Sequence, residues 1–137
     1  MQSIFHFSFN VTDLDVAVEF YSKVLECKQG RKTKTWVDFN FFGHQLSLHL
    51  GEPFNVKNTG SVDGVAVPMP HFGSILHMNE WNQLAEKLKK KNIKFIIEPT
   101  VRFIGTLGEQ STMFFTDPFG NPIELKGFSD LSRLYDE

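Results

Sequence analysis

The sequence predicts an α+β protein made of two copies of one βα-plus-strands unit, and three observations predict it. His6 and Phe7 head the run HFSFNV, and 65 residues later His71 and Phe72 head HFGSIL. Each run precedes an amphipathic helical pattern, and each helical pattern precedes short, turn-bounded segments that read as strands. If the same edge of each copy faces a shared centre, equivalent residues converge from opposite sides, which is one way to build a metal site.

Residues 4–11 alternate, with Phe5, Phe7, Phe9 and Val11 on one face and Ile4, His6, Ser8 and Asn10 on the other, so His6 points away from the phenylalanine side. Thr12 and Asp13 offer capping oxygens, and Asp13 and Asp15 suit the first turn of a helix. Ala17, Phe20, Tyr21, Val24 and Leu25 then form one apolar stripe, which predicts a helix packed on the phenylalanine face of a sheet. That helix fades into the polar stretch 28–34. Residues 36–42 and 45–50 read as strands around a turn at Gly43, with Leu46, Leu48 and Leu50 on one face and Gln45, Ser47 and His49 on the other. The polar segment 51–63 reads as a long loop between the copies.

The second copy opens with the strand 67–76. Asn79 is the expected cap of a helix whose stripe is Trp81, Leu84, Ala85 and Leu88, with Lys87, Lys89, Lys90 and Lys91 favouring its C-terminal end. Residues 93–98 predict a strand stopped by Pro99, Arg102 and Phe103 fall in a short extended piece, and 110–115 predict another strand. The DPFGN turn at 117–121 aims a last strand, 122–125, back across the sheet, with Glu124 set between Ile123 and Leu125.

Length and composition allow one domain over 1–137: two modules at about 1–56 and 65–128, a connecting loop, and a short C-terminal tail. Sixteen acidic residues against 14 basic ones give no basic field for nucleic acid or an anionic membrane, so a small-molecule substrate is the natural partner. Cys27 stands alone and is expected to be inert, and the N-terminal MQSIFHF lacks the features of a secretory signal, which predicts a cytoplasmic protein. His44 and His77 are expected at a pocket rim or in solvent.

The strings HFSFNVTDLDVAVEFYSKVL, FFGHQLSLHL, VPMPHFG, RFIGTLGEQ and MFFTDPFGNPIELKGF resemble the vicinal oxygen chelate superfamily over nearly the whole chain. That superfamily includes glyoxalase I, fosfomycin-resistance proteins, bleomycin-binding proteins and extradiol dioxygenases. More specifically, the strings are similar to its small extradiol-dioxygenase-like branch. The resemblance implies two βαβββ modules forming an eight-stranded, partly open mixed barrel, usually as a homodimer, with metal ligands on the first and last strands of each module. Carried onto this chain, the ligand positions are His6, His49, His71 and Glu124.

Two imidazoles and a carboxylate suit a divalent first-row metal with open positions, and His6, His71 and Glu124 meet that need. In similar dioxygenases the metal is Fe(II) and a catechol chelates it through both hydroxyl oxygens, so Fe(II) is favoured here over Mn, Ni or Zn. Glyoxalase I usually has glutamate where His49 is placed, so His49 is expected either as a fourth ligand or as a catalytic acid-base group. A dioxygenase-like enzyme is therefore the leading expectation. A glyoxalase-type lyase or isomerase, or a metal-free protein that sequesters a small toxic compound, stands beside it. Arg102 is a candidate for holding an acidic substituent of the substrate, with Phe103, Gln110 and Phe115 as further substrate-binding candidates and RFIGTLGEQ as a flap.

Overall fold

The computed structural model describes residues 1–62 and 64–137; Asp63, the last residue of the expected connecting loop, lies outside the described residues. The chain forms two compact units, Met1–Asn55 with Asp117–Asn121, and Val56–Thr116 with Pro122–Glu137.

In the first unit, β1 (His6–Val11) leads into a helical segment, α1 (Leu14–Val18), which widens into a π-helical turn over Glu19–Val24. Asp13 caps α1 by accepting from the Val16 amide, and Ala17, Phe20, Tyr21 and Leu25 are buried along its inner side. β2 (Lys28–Lys32), β3 (Trp36–Phe41) and β4 (His44–Leu50) complete an open sheet in the order β1-β4-β3-β2, with β1 and β4 parallel. Phe42 and Gly43 both take positive φ in the two-residue turn between β3 and β4, the geometry that matches the twist of a hairpin. Phe9, Val11, Val37, Phe39, Phe41, Leu46 and Leu48 are buried on one face. The opposite face carries His6, Ser8 and Asn10 beside Gln45, Ser47 and His49, and then Asn40, Asp38 and Trp36. β2, one of the strands the βαβββ module requires, falls in the polar stretch after the helix and shows no hydrophobic signal, because KQGRK has no apolar side chain and an exposed edge strand needs none.

The second unit begins with a hairpin where a loop was expected, β5 (Lys57–Val62) paired with β6 (Val65–Met69). Asn58, Gly60 and Ser61 mimic turn chemistry, but a Cβ on Gly60 would lie 2.6 Å from Val67, so the glycine serves close strand approach instead. The expected strand 67–76 is two strands, β6 and β7 (Phe72–His77), parted at Pro70, which has no N–H for a ladder. α2 (Met78–Lys90) starts from His77, which makes no side-chain cap, rather than from Asn79, but its buried stripe is Trp81, Leu84, Ala85 and Leu88 as expected. β8 (Phe95–Arg102) runs through Pro99, because it is an edge strand and its pairing with β9 (Gln110–Thr116) shifts register between Ile97 and Thr100. With β10 (Pro122–Phe128) the open sheet has the order β7-β10-β9-β8, β7 and β10 being parallel, which repeats the topology of the first sheet strand for strand. Met113, Phe115, Ile123 and Leu125 are buried on the side toward α2, where the Trp81 indole donates to the Leu125 carbonyl at 2.8 Å. Glu124 faces the other way, with Phe114 as its cross-strand partner.

Among the described residues no helix is long and apolar enough to cross a membrane.

Candidate metal centre

Two of the four expected ligands come together. His71 leaves the Pro70 corner just before β7, and its Nε2 lies 3.6 Å from Oε1 of Glu124 on β10. On the far side of the ring, Nδ1 lies 2.7 Å from the Pro68 carbonyl, which can only accept, so Nδ1 carries the hydrogen and donates it. In the neutral ring Nε2 is then a bare lone pair facing a carboxylate oxygen. Two acceptors held face to face repel unless a cation or a shared proton lies between them. Glu124 is itself oriented, since Thr112 Oγ1 donates to its Oε2 at 2.7 Å. Lys126 Nζ stands 3.9 Å from Oε1, beyond hydrogen-bonding distance.

The donor set fits a divalent metal. Two ligand atoms bound at about 2.1 Å to one ion at a near-tetrahedral angle stand about 3.4 Å apart, close to the separation seen. A histidine tied through Nδ1 to a backbone carbonyl and a carboxylate tied to a hydroxyl are also the supports that metal ligands ordinarily have. The strand pairing that sets this geometry depends on Gly73. It sits opposite Glu124, and a Cβ there would lie 1.5 Å from the Glu124 carbonyl oxygen.

His6 and His49 both belong to the first unit and share a face of its sheet, but the register does not put them side by side. His6 is level with Gln45 on β4, and His49 is level with Asn10. Four residues of parallel strand separate the two levels, about 13 Å. The second copy shows which residue answers to Glu124. Continuing the β7–β10 register by one residue makes His71 level with Pro122, two residues before Glu124. Two residues beyond Gln45 is Ser47, so Ser47 holds the place of Glu124, and His49 holds that of Lys126. Ser47 is buried and donates to Asp38 Oδ1 at 2.5 Å, while the exposed His49 ring lies 6.3 Å from that of Trp36. Among the described residues no group of three or more His, Cys, Asp or Glu side chains forms a cluster able to hold a metal ion.

Of the expected substrate-binding residues, Arg102 and Gln110 are cross-strand partners on the face that carries Thr112, Phe114 and Glu124. Arg102 is buried and its Nη1 donates to the Val62 carbonyl at 3.4 Å, and among the described residues the buried Gln110 Oε1 has no partner. Phe103 is partly exposed with a positive φ, at the start of a turn-rich loop tied by Thr106 Oγ1 to the Phe103 carbonyl. Phe115 is a correction: it is fully buried on the core face against Phe95, and no substrate can stack on it there. The ring beside the centre is Phe114, edge-on to His71 with centroids 4.8 Å apart. Its parity with Glu124 across a tight turn was the signal for it. His44 is exposed, accepting at Nδ1 from the Phe5 amide, and His77 is exposed at the head of α2.

Residues 3–125 match the model of the glyoxalase/bleomycin resistance protein/dioxygenase superfamily. The chain belongs to that superfamily. Among solved structures of this superfamily fold it is similar to a glyoxalase/bleomycin resistance protein/dioxygenase from Alicyclobacillus acidocaldarius, at 30% identity and a TM-score of 0.81 over 97% of this chain and 96% of that one. An integron cassette protein from the mobile metagenome of V. cholerae shares 22% identity at a TM-score of 0.63, over 94% of this chain and 97% of that one. The fosfomycin resistance protein FosX of Listeria monocytogenes shares 13% at 0.66, over 98% of each chain. The last two likenesses speak for the glyoxalase-like fold alone.

Proposed function

We propose that this superfamily member is a divalent-metal-dependent enzyme acting on a small vicinal-oxygen substrate, with ring cleavage of a catechol-type compound as the leading reaction. The observation that carries the metal is His71 Nε2 set 3.6 Å from Glu124 Oε1, with the ring tied through Nδ1 to the Pro68 carbonyl and the carboxylate tied to Thr112. His6 is the proposed third ligand, from its equivalent place at the head of the first copy. His49 is left out of the ligand set because it stands about 13 Å along the strands from the level of His6. The place answering to Glu124 is Ser47, a weak ligand whose hydroxyl is already committed to Asp38. A set of two histidines and one carboxylate with no fourth protein ligand favours the oxygenase reading over the glyoxalase one, because it matches the facial triad of non-haem iron sites.

When bound, Fe(II) would supply the electron transfer and the chelation of vicinal oxygens. The chain's own residues would hold and orient. Glu124 fixes charge at the centre, Thr112 holds its carboxylate, and Phe114 walls the His71 ring. Arg102 lies on the same face of the sheet, its partner Gln110 four residues along β9 from Phe114, about 14 Å. A guanidinium reaching back from there suits an acidic substituent on a substrate held at Glu124. A homodimer is proposed with this reading.

Protein purified without chelators should carry near-stoichiometric divalent metal, lost in His6→Ala, His71→Ala and Glu124→Ala with circular dichroism unchanged. Full occupancy in Glu124→Ala would sink the assignment. Mixing His6→Ala with Glu124→Ala chains locates the third ligand, since metal regained in the mixture requires one chain's His6 to serve its partner. The iron-loaded protein should consume oxygen with a member of a catechol panel. If it consumes none while a nickel or zinc form isomerises a hemithioacetal, the reaction is of glyoxalase type. Sedimentation as a monomer at micromolar concentration would refute the dimer.

A further inference from the structure

The polar face of the first sheet carries more than His6: beside Gln45, the residue level with His6, lies a buried carboxylate, Asp38. A cavity of about 350 Å³ opens there, lined by Ile4, Gly30, Arg31, Asp38, His44 and Gln45. Its volume is at the small end of the range for ligand pockets. Asp38 is the unusual member. It is 8% exposed, and its two side-chain partners are the Ser47 hydroxyl on Oδ1 at 2.5 Å and the Gln45 amide on Oδ2 at the limiting distance of 3.5 Å. A carboxylate has about four acceptor sites, so Oδ2 is left largely unsatisfied. Among the described residues no cation pairs with it. Arg31 lines the same cavity, but its guanidinium lies 5.9 Å over the Trp36 ring instead.

A buried carboxylate without a counter-ion is costly, and proteins keep such groups hydrogen-bonded, paired or in use. Here the space beside it is held open. Gly30 on the neighbouring strand supplies the wall, and a Cβ there would come within 3.3 Å of the Asp38 Cβ. Ile4 gives the cavity an apolar side, while His44 stands at its rim with Nδ1 committed to the Phe5 amide. The cavity therefore offers one anionic acceptor and an apolar wall, with the Arg31 guanidinium set over Trp36 rather than on Asp38. We infer that this cavity binds a small organic cation, an ammonium, amidinium or guanidinium group donating to Asp38 Oδ2 with its apolar part against Ile4.

Benzamidine and its neutral counterpart benzamide test this directly, titrated into the full-length ¹⁵N-labelled protein. Benzamidine should move the amide signals of Gly30, Gly43 and Gln45 and bind at least about tenfold more tightly than benzamide, the discrimination of one charge-assisted hydrogen bond. Asp38→Asn should abolish that preference. Gly30→Val, on an exposed edge strand, should block the cavity and remove binding with Asp38 intact, so the inference stays testable if Asp38→Asn does not fold. Equal affinity for the two compounds, shifts confined to other residues, or undiminished binding by Gly30→Val would each overturn it. The titrations are run on metal-free protein, which separates this result from the fate of the metal proposal.

Discussion

Removing one hydroxyl, in Tyr21→Phe, tests what fastens the DPFGN turn. Tyr21 is fully buried beneath β3 and donates to Asp117 Oδ2 at 2.8 Å. Asp117, itself 2% exposed, also accepts from the amides of Phe119 and Asn121 at Oδ1 and from Asn121 Nδ2 at Oδ2. A hydrogen bond to a charged group contributes about 1.5–3 kcal/mol, and because three donors remain we take about 2 kcal/mol. At the usual unfolding entropy per residue, that lowers the melting temperature of a chain this long by about 7 °C.

The effect should also depend on pH. Burial pushes the Tyr21 phenol well above its ordinary range, and the Asp117 charge adds to the shift. Above pH about 10 the unfolded chain therefore releases this proton while the folded chain keeps it, so the stability Tyr21 contributes falls as pH rises. On the acid side, burial raises the Asp117 carboxyl above 3.8 against the donors that lower it, and the folded state takes up the proton first. Once Asp117 is protonated the hydrogen bond loses its charge. Wild type and Tyr21→Phe should accordingly differ most from neutral pH to about pH 9 and converge on either side, as followed by thermal circular dichroism. A difference below about 2 °C at neutral pH, or one that widens above pH 10, would refute the reasoning.

Three further outcomes are expected. Gly73→Ala should cost about 3 kcal/mol or more and abolish metal binding, because its Cβ meets backbone at Glu124 that cannot yield; denaturant titration and metal analysis check this. Thr112→Val removes a hydroxyl donor from a carboxylate as Tyr21→Phe does, so it should cost about 1–2 kcal/mol of stability and weaken metal binding about 10–100-fold by freeing the Glu124 carboxylate, read by competition with a chelator. Cys27 is 4% exposed and its thiol is pushed up to about 12, chiefly by burial, so at pH 8 a thiol reagent should label it at least about a hundredfold more slowly than in denaturant. Rapid stoichiometric labelling of the folded protein would contradict that.

Most of the fold was legible because burial imposes a period. The stripe of Trp81, Leu84, Ala85 and Leu88 and the alternation of Leu46 with Leu48 are direct imprints of one apolar face per element. What stayed hidden was structure without such an imprint. β2 is exposed at every residue, and β5 is mostly exposed, so neither leaves a hydrophobic signature. Pro99 looked like a strand stop because its missing N–H matters in a paired strand; on the edge strand β8, a register shift absorbs it. The π-helical turn after α1 was also invisible, since the same side chains serve an α-helical stripe; the Leu25 amide reaching back five residues to the Phe20 carbonyl is its mark.

For the candidate site residues the sequence told which face of the sheet each occupies and no more, and the reason is the period itself. A one-residue slip moves a side chain through the sheet and is betrayed by hydropathy, but a two-residue slip keeps it on the same face. Gln45, Ser47 and His49 therefore pass the same test, although each step along β4 displaces the side chain by about 7 Å, several times a metal–ligand bond. The resemblance assigned the last-strand ligand position of the first copy to His49, a competent ligand where serine is a poor one. Pairing assigns it differently, because β1 and β7 are parallel to the last strand of their own copies and each sets a level on it: His6 opposite Gln45, His71 one residue before the Phe72–Ile123 pair. By that measure the first copy has no carboxylate at that level of its last strand and carries one on the neighbouring strand instead. Asp38 stands opposite Ser47 just as Phe114 stands opposite Glu124, so acid and non-acid have exchanged strands between the copies. On the proposed reading the ligands are His6, His71 and Glu124, three strong donors rather than four, and Asp38 is left to face the cavity beside Gln45.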